Sequence, residues 1–92
     1  MKKHFKIRIH GKVQGVYFRA TAVDKAHTYS ISGFTRNEAD GTVYIEAEGE
    51  EDGLVKFVEW CHVGPPRAVV EKVLIEEGEL KNYQNFITVR VI

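Results

Sequence analysis

The chain has 92 residues, of which 43% are hydrophobic and 28% charged, with 13 basic and 13 acidic side chains and no formal net charge. That length supports one domain over residues 1–92, and the composition excludes a disordered polyelectrolyte. No apolar run approaches the roughly 20 residues that cross a bilayer. The lone Cys61 leaves no intrachain disulfide, and the basic N-terminus lacks the apolar stretch of a signal peptide, so a cytoplasmic protein without membrane association is expected. A monomer is the default expectation.

Residues 4–10 alternate. Phe5, Ile7 and Ile9 point one way and Lys6, Arg8 and His10 the other, as in a half-buried strand. After the loop GKVQGVYFR (residues 11–19), Phe18, Ala22, Ala26 and Tyr29 recur at helical spacing, which predicts a helix over 19–29 ending near residues 30–33. Residues 33–37 and 42–48 read as strands joined by Glu38-Ala39-Asp40-Gly41, where Asp-Gly supplies the positive φ of a tight hairpin. Residues 52–63 form a second helix with a core stripe of Leu54, Phe57, Val58 and Cys61, closed by Gly64-Pro65-Pro66. Strands over 69–77 and 85–92 finish the chain, separated by a polar turn over 78–84.

Right-handed crossovers turn this order into an α+β fold: a ferredoxin-like split β-α-β sandwich, with a mainly antiparallel sheet and both helices on one face. The first strand then lies between the third and fourth. Residues 1–37 carry a net +7 and the remainder −7, and this register sets Lys6 and Arg8 on the open face beside Glu46 and Glu48. Cross-strand ion pairs are the plain meaning of that asymmetry, and an anion-attracting surface is the functional one. His4 and His10 are expected on the exposed polar face, and His27 and His62 on helix surfaces; none has metal or triad spacing.

The loop at 11–19 has its own chemistry. A helix N-terminus presents unpaired N–H groups at the positive end of its dipole, and a glycine-containing loop can aim further N–H groups into the same concavity. Gly15 leaves the approach open, and Arg19 adds a planar fork matching phosphate oxygens. A plain turn with a surface arginine fits the same residues.

The run Ile9-His10-Gly11-Lys12-Val13-Gln14-Gly15-Val16-Tyr17-Phe18-Arg19 resembles the first signature of the acylphosphatase family. Gly33-Phe34-Thr35-Arg36-Asn37, with Asp40-Gly41-Thr42-Val43 and Gly49, resembles the second. Trp60, Gly64-Pro65-Pro66, Ala68 and Phe86 through Arg90 extend the likeness almost end to end. The resemblance implies metal-independent hydrolysis of small acyl phosphates to carboxylate and inorganic phosphate, with no cofactor. It implies a phosphate cradle of Gln14, Gly15, Val16, Tyr17, Phe18 and Arg19, with Arg19 as the binding arginine and Asn37 as the residue orienting the attacking water. Taken by itself, Asn37 equally suits a hairpin start. Thr35 stands where the family usually has a small apolar residue, and Tyr29-Ser30-Ile31-Ser32-Gly33 replaces a more aliphatic approach; both bear on packing.

Two other readings compete. Cys61 and Arg67 have the Cys-x5-Arg spacing of cysteine-dependent phosphatases, but Pro65 and Pro66 have no N–H to offer and the segment ends a helix instead of opening one. A ferredoxin-like anion- or RNA-binding module would share the topology, but no RNA-binding aromatic motif is present, and the third strand offers only Tyr44 between acids. No specific nucleic-acid partner is therefore expected.

Overall fold

The computed structural model describes residues 1–90. Its elements are β1 (Lys2–Lys12), α1 (Phe18–Thr28), β2 (Ser32–Asn37), β3 (Val43–Glu50), α2 (Glu51–Val63), β4 (Val69–Gly78) and β5 (Phe86–Thr88). The sheet order is β4-β1-β3-β2-β5, with β5 parallel to β2 and the other pairs antiparallel. This is the ferredoxin-like α+β arrangement, and β1 lies between β3 and β4 as the topology requires. The final strand is short, and the part of the predicted 85–92 strand at residues 91–92 lies outside the described residues.

Alternation decides which side of the sheet the helices cover. Ile7 and Ile9 of β1 and Val43, Ile45 and Ala47 of β3 are fully buried beneath them. From above, α1 contributes Phe18, Ala22 and Ala26 at i, i+4 and i+8, and α2 contributes Leu54, Phe57 and Cys61 at i, i+3 and i+7, spacings expected of a core face. Burying a large apolar side chain contributes about 1.5–3 kcal/mol, so these positions dominate the stability of the fold. Burial also pushes the Cys61 thiol upward, away from thiolate reactivity. Among the described residues, no helix is long and apolar enough to cross a membrane.

β1 parts from β3 after Ile9 and runs on along β4 through a defined irregularity. The β1–β4 register shifts between His10 and Gly11, where Gly11 has φ +130° and a Cβ would sit 2.1 Å from the Val69 carbonyl oxygen. Only glycine allows that approach, so the bulge directs the chain from β1 into the loop ahead of α1.

The open face differs from expectation. Residues 79–85 do not form a simple turn between neighbouring strands: β4 and β5 are opposite edges of the sheet, so this segment crosses the face away from the helices. His4, expected to be exposed, is completely buried there. Its Nδ1 lies 2.8 Å from Glu48 Oε2 and its Nε2 2.9 Å from Glu46 Oε1. Glu48 also accepts the backbone N–H groups of Lys81 and Tyr83, and Glu46 accepts the hydroxyls of Tyr44 at 2.7 Å and Tyr83 at 3.1 Å. The glutamates therefore pair with His4, not with Lys6 and Arg8. Lys6 instead approaches Glu76 at 4.0 Å, and Arg8 approaches Glu38 at 3.5 Å and donates to Thr42 Oγ1 at 3.1 Å. The physical reason is coverage: a charge beneath the crossing segment needs an immediate partner, whereas Lys6 and Arg8 keep access to water.

Candidate active site

α1 begins where its first residue is anchored. Phe18 is 2% exposed, and its ring packs 5.0 Å from that of Trp60. The residue before it, Tyr17, is in the left-handed conformation (φ 65°, ψ 24°) and gives the helix no side-chain cap. The first turn of α1 also contains no acid, whereas that of α2 carries Glu51 and Asp52. The N-terminus of α1 therefore keeps its N–H groups and positive dipole end uncompensated.

The loop leading to it is shaped to the same end. Gly15 (φ 72°) and Tyr17 have positive φ and Val16 between them does not, so the sign alternates along the chain. Alternation of right- and left-handed residues turns successive N–H groups toward one side, as in an anion-binding nest. A Cβ at Gly15 would meet nothing within 4 Å, so this glycine is needed for its φ and not for space.

A concavity of about 480 Å³ opens at this loop, lined by Gly15, Tyr17, Phe18 and Arg19 together with Asn37 from β2 and Arg90 beyond β5. The structure thus brings Arg19 and Asn37 to one place. It does not bring every loop side chain there. Val16 is 5% exposed and belongs to the core, and the Gln14 amide donates to the carbonyls of Glu38 at 2.8 Å and Thr42 at 2.9 Å. Gln14 therefore ties the loop to the hairpin that follows Asn37.

That hairpin is firmly closed. The Glu38 N–H donates to the Thr42 carbonyl at 2.9 Å, and Thr42 donates through its N–H and hydroxyl to Asp40 Oδ1 at 3.0 and 2.6 Å. The Thr42 hydroxyl, then its N–H, hold the Asp40 carboxyl below the usual carboxylate range. Asn37 closes β2 opposite Val43 and is held at its backbone, but its Oδ1 is buried with no hydrogen-bond partner among the described residues. A buried acceptor left open in this way costs about 1–3 kcal/mol unless something completes it.

Sequence reasoning did not place Arg90 or Thr88 at the site. They arrive because β5 runs parallel to β2, with Thr35 opposite Thr88 and the Val89 N–H donating to the Thr35 carbonyl at 2.8 Å. The same direction carries the next residue toward Asn37. Phe86 through Arg90 belonged to the family likeness, but only the parallel pairing shows where that arginine goes.

An α+β sandwich with an uncapped helix end, a nest of alternating φ, an arginine and an asparagine at one concavity has the elements that suit a small oxyanion. The comparisons then specify the family: the acylphosphatase model matches residues 5–88. An acylphosphatase of Marinobacter nauticus is 51% identical over 69 residues, covering 75% of this chain and 75% of that protein. One of Trichormus variabilis is 41% identical over 90 residues, covering 94% and 89%. The solved structure of an acylphosphatase from Coxiella burnetii superposes with a TM-score of 0.92 at 34% identity, covering 96% of this chain and 93% of that one. The chain belongs to the acylphosphatase family, and is a hydrolase by that membership.

Proposed function

We propose that this chain, acting as a single monomeric domain, hydrolyses the carboxyl-phosphate bond of small acyl phosphates without a metal ion, releasing carboxylate and inorganic phosphate. The observation that carries the reading is the convergence of Arg19 and the open Asn37 amide on the concavity at the uncapped start of α1.

Phosphoryl transfer of this kind requires positioning and charge stabilisation more than covalent help from the protein. The N–H groups of the 14–19 loop and the Arg19 fork surround the equatorial phosphoryl oxygens, where charge accumulates. Asn37 orients the attacking water through hydrogen bonds of its side-chain amide, which can both donate and accept. It cannot serve as a base near neutral pH, and a loose transition state asks little of one. As the water oxygen bonds to phosphorus, the bond to the acyl oxygen breaks. The leaving carboxylate, with a conjugate-acid pKa of about 4, departs without a proton.

A nucleic-acid platform has one observation in its favour that strand alternation does not reveal. Phe34 joins Tyr44 and Tyr83 on the open face, with ring centroids 6.0 Å apart in both pairs and the Arg36 guanidinium 4.9 Å from the Tyr44 ring. Yet Tyr44 and Tyr83 both donate to Glu46, and Arg36 donates to Glu38 at 2.9 Å, so acids stand among the rings that a phosphate backbone would have to approach. The hydrolase reading remains the better supported. Benzoyl phosphate assayed with excess EDTA tests it: turnover should be unaffected by the chelator, and activity that appears only with an added divalent ion would contradict it.

A further inference from the structure

The loop places one large side chain where the chemistry proposed above has no use for it. In Val16-Tyr17-Phe18 the two outer side chains are buried at 5% and 2% exposure, while Tyr17 between them is 74% exposed. Its backbone supplies a bend with φ 65°, a conformation that glycine adopts readily and a bulky aromatic residue does not. Backbone geometry alone therefore favours glycine at this position. Solvation does not favour tyrosine either, since its ring lies against water. What remains is what the ring can touch.

The other apolar linings of the concavity leave little choice. Val13 is 1% exposed and Phe18 2%, so both are already spent on the core, and Ala20 is small. Once phosphate oxygens occupy the loop N–H groups and Arg19, the acyl group extends from them toward the open rim. There, among the described residues, the Tyr17 ring is the large apolar surface still able to receive it. We propose that Tyr17 selects the acyl group, its ring packing against flat or extended apolar acyl chains and giving them an advantage over acetyl. The proposal rests on the hydrolase reading and adds to it the class of acyl group and the residue that reads it. Burial of apolar surface against an aromatic ring is non-directional, so the preference follows size and flatness, not a particular hydrogen-bonding pattern.

The test compares kcat/KM for benzoyl phosphate and acetyl phosphate in the full chain and in its Tyr17→Phe and Tyr17→Gly variants. Both variants retain the residue-17 N–H, and glycine suits the left-handed backbone, so folding does not confound the result. The ratio of the two kcat/KM values cancels any loss common to both substrates. Tyr17→Gly should lower the benzoyl-to-acetyl ratio about tenfold, the scale on which a pocket loses a modest apolar contact, and Tyr17→Phe should hold it near the parent value. Hydrolysis of both substrates with a ratio in Tyr17→Gly within twofold of the parent overturns the selector alone. Failure of the parent chain to hydrolyse either substrate overturns the hydrolase reading, and the selector with it.

Discussion

His4, Glu46 and Glu48 share a sheet with Asn37, but the two polar groupings are completed in opposite ways. Around His4 both ring nitrogens face carboxylates, and both carboxylates are filled by tyrosine hydroxyls or backbone N–H groups from the crossing segment. Around Asn37 the backbone is fixed, while among the described residues Oδ1 has no partner and the neighbouring helix start has no side-chain cap. Four hydrogen-bond donors besides His4 converge on two buried or half-buried glutamates in the first grouping, and the second, among the described residues, leaves the helix-start N–H groups and the Asn37 Oδ1 unfilled beside a concavity. A closed network ties segments together; an open one is arranged for something that binds. Burial alone does not distinguish them, and the state of completion does.

The contrast can be broken at either end. The largest effect is expected at the open end. Arg19→Ala should cut kcat/KM for benzoyl phosphate by about 10³-fold or more, because the guanidinium meets charge that develops during transfer. It should also weaken competition by inorganic phosphate. Asn37→Ala should lower kcat by about 10²-fold while phosphate competition stays near the parent value, since water orientation is lost and the cradle is not. Thermal unfolding of Arg19→Ala should stay close to the parent and that of Asn37→Ala should match or exceed it, because its unpaired buried oxygen is removed; a large loss of stability would make these groups structural.

At the closed end the roles reverse. His4→Leu leaves two carboxylates without their buried partner and should cost on the order of 3 kcal/mol of stability, read by denaturant unfolding, with turnover per folded molecule preserved. Acid should expose the same network. Burial opposes ionisation of Glu48, but the N–H groups of Lys81 and Tyr83 and the His4 side chain outweigh it and hold the carboxyl below its ordinary 4.5; Glu46 is likewise held low, against burial, by Tyr44, Tyr83 and His4. A depressed carboxylate contributes stability that is complete above the ordinary value and disappears as pH falls through the folded one. The parent chain should therefore lose stability below about pH 4.5, and Glu48→Gln should lose less over the same interval.

The smallest effect sharpens the comparison by removing a polar atom that belongs to neither grouping. Thr35 is completely buried between Ile45 and Thr88 in register, and its Oγ1 has no partner among the described residues. Thr35→Val keeps the branched shape and removes the stranded hydroxyl. It should raise stability by about 1 kcal/mol and leave kinetics alone, read by calorimetry and the benzoyl phosphate assay.

These regions also differ in how much of them a sequence reveals. Element order follows from local periodicity, so the sandwich, the Asp-Gly hairpin and the helix stripe of Leu54, Phe57 and Cys61 were legible. The candidate site was legible in part as a place, because Gly15 and Arg19 lie on a short contiguous loop and Asn37 at a recognisable strand end, and the three line one concavity. His4 was not legible. Alternation assigns it a face of the sheet, but only the path of residues 79–85 over that face decides whether the face is wet. Arg90 was missed for a related reason, since parallel pairing of β5 with β2 is a long-range choice with no local signal. Tyr17 gave no warning of its left-handed backbone, because that conformation comes from Val16 and Phe18 being anchored on either side of it.

The most direct test of the account is a titration of the ¹⁵N-labelled chain with inorganic phosphate, followed through its backbone amide resonances. The amides of residues 15–19 should shift in a saturable manner, with the same apparent affinity as phosphate inhibition of benzoyl phosphate hydrolysis, while those of Lys81 and Tyr83 stay in place. Saturable shifts centred on the open face, or an unresponsive 15–19 loop while phosphate still inhibits, would contradict the claim that this loop holds the phosphoryl group.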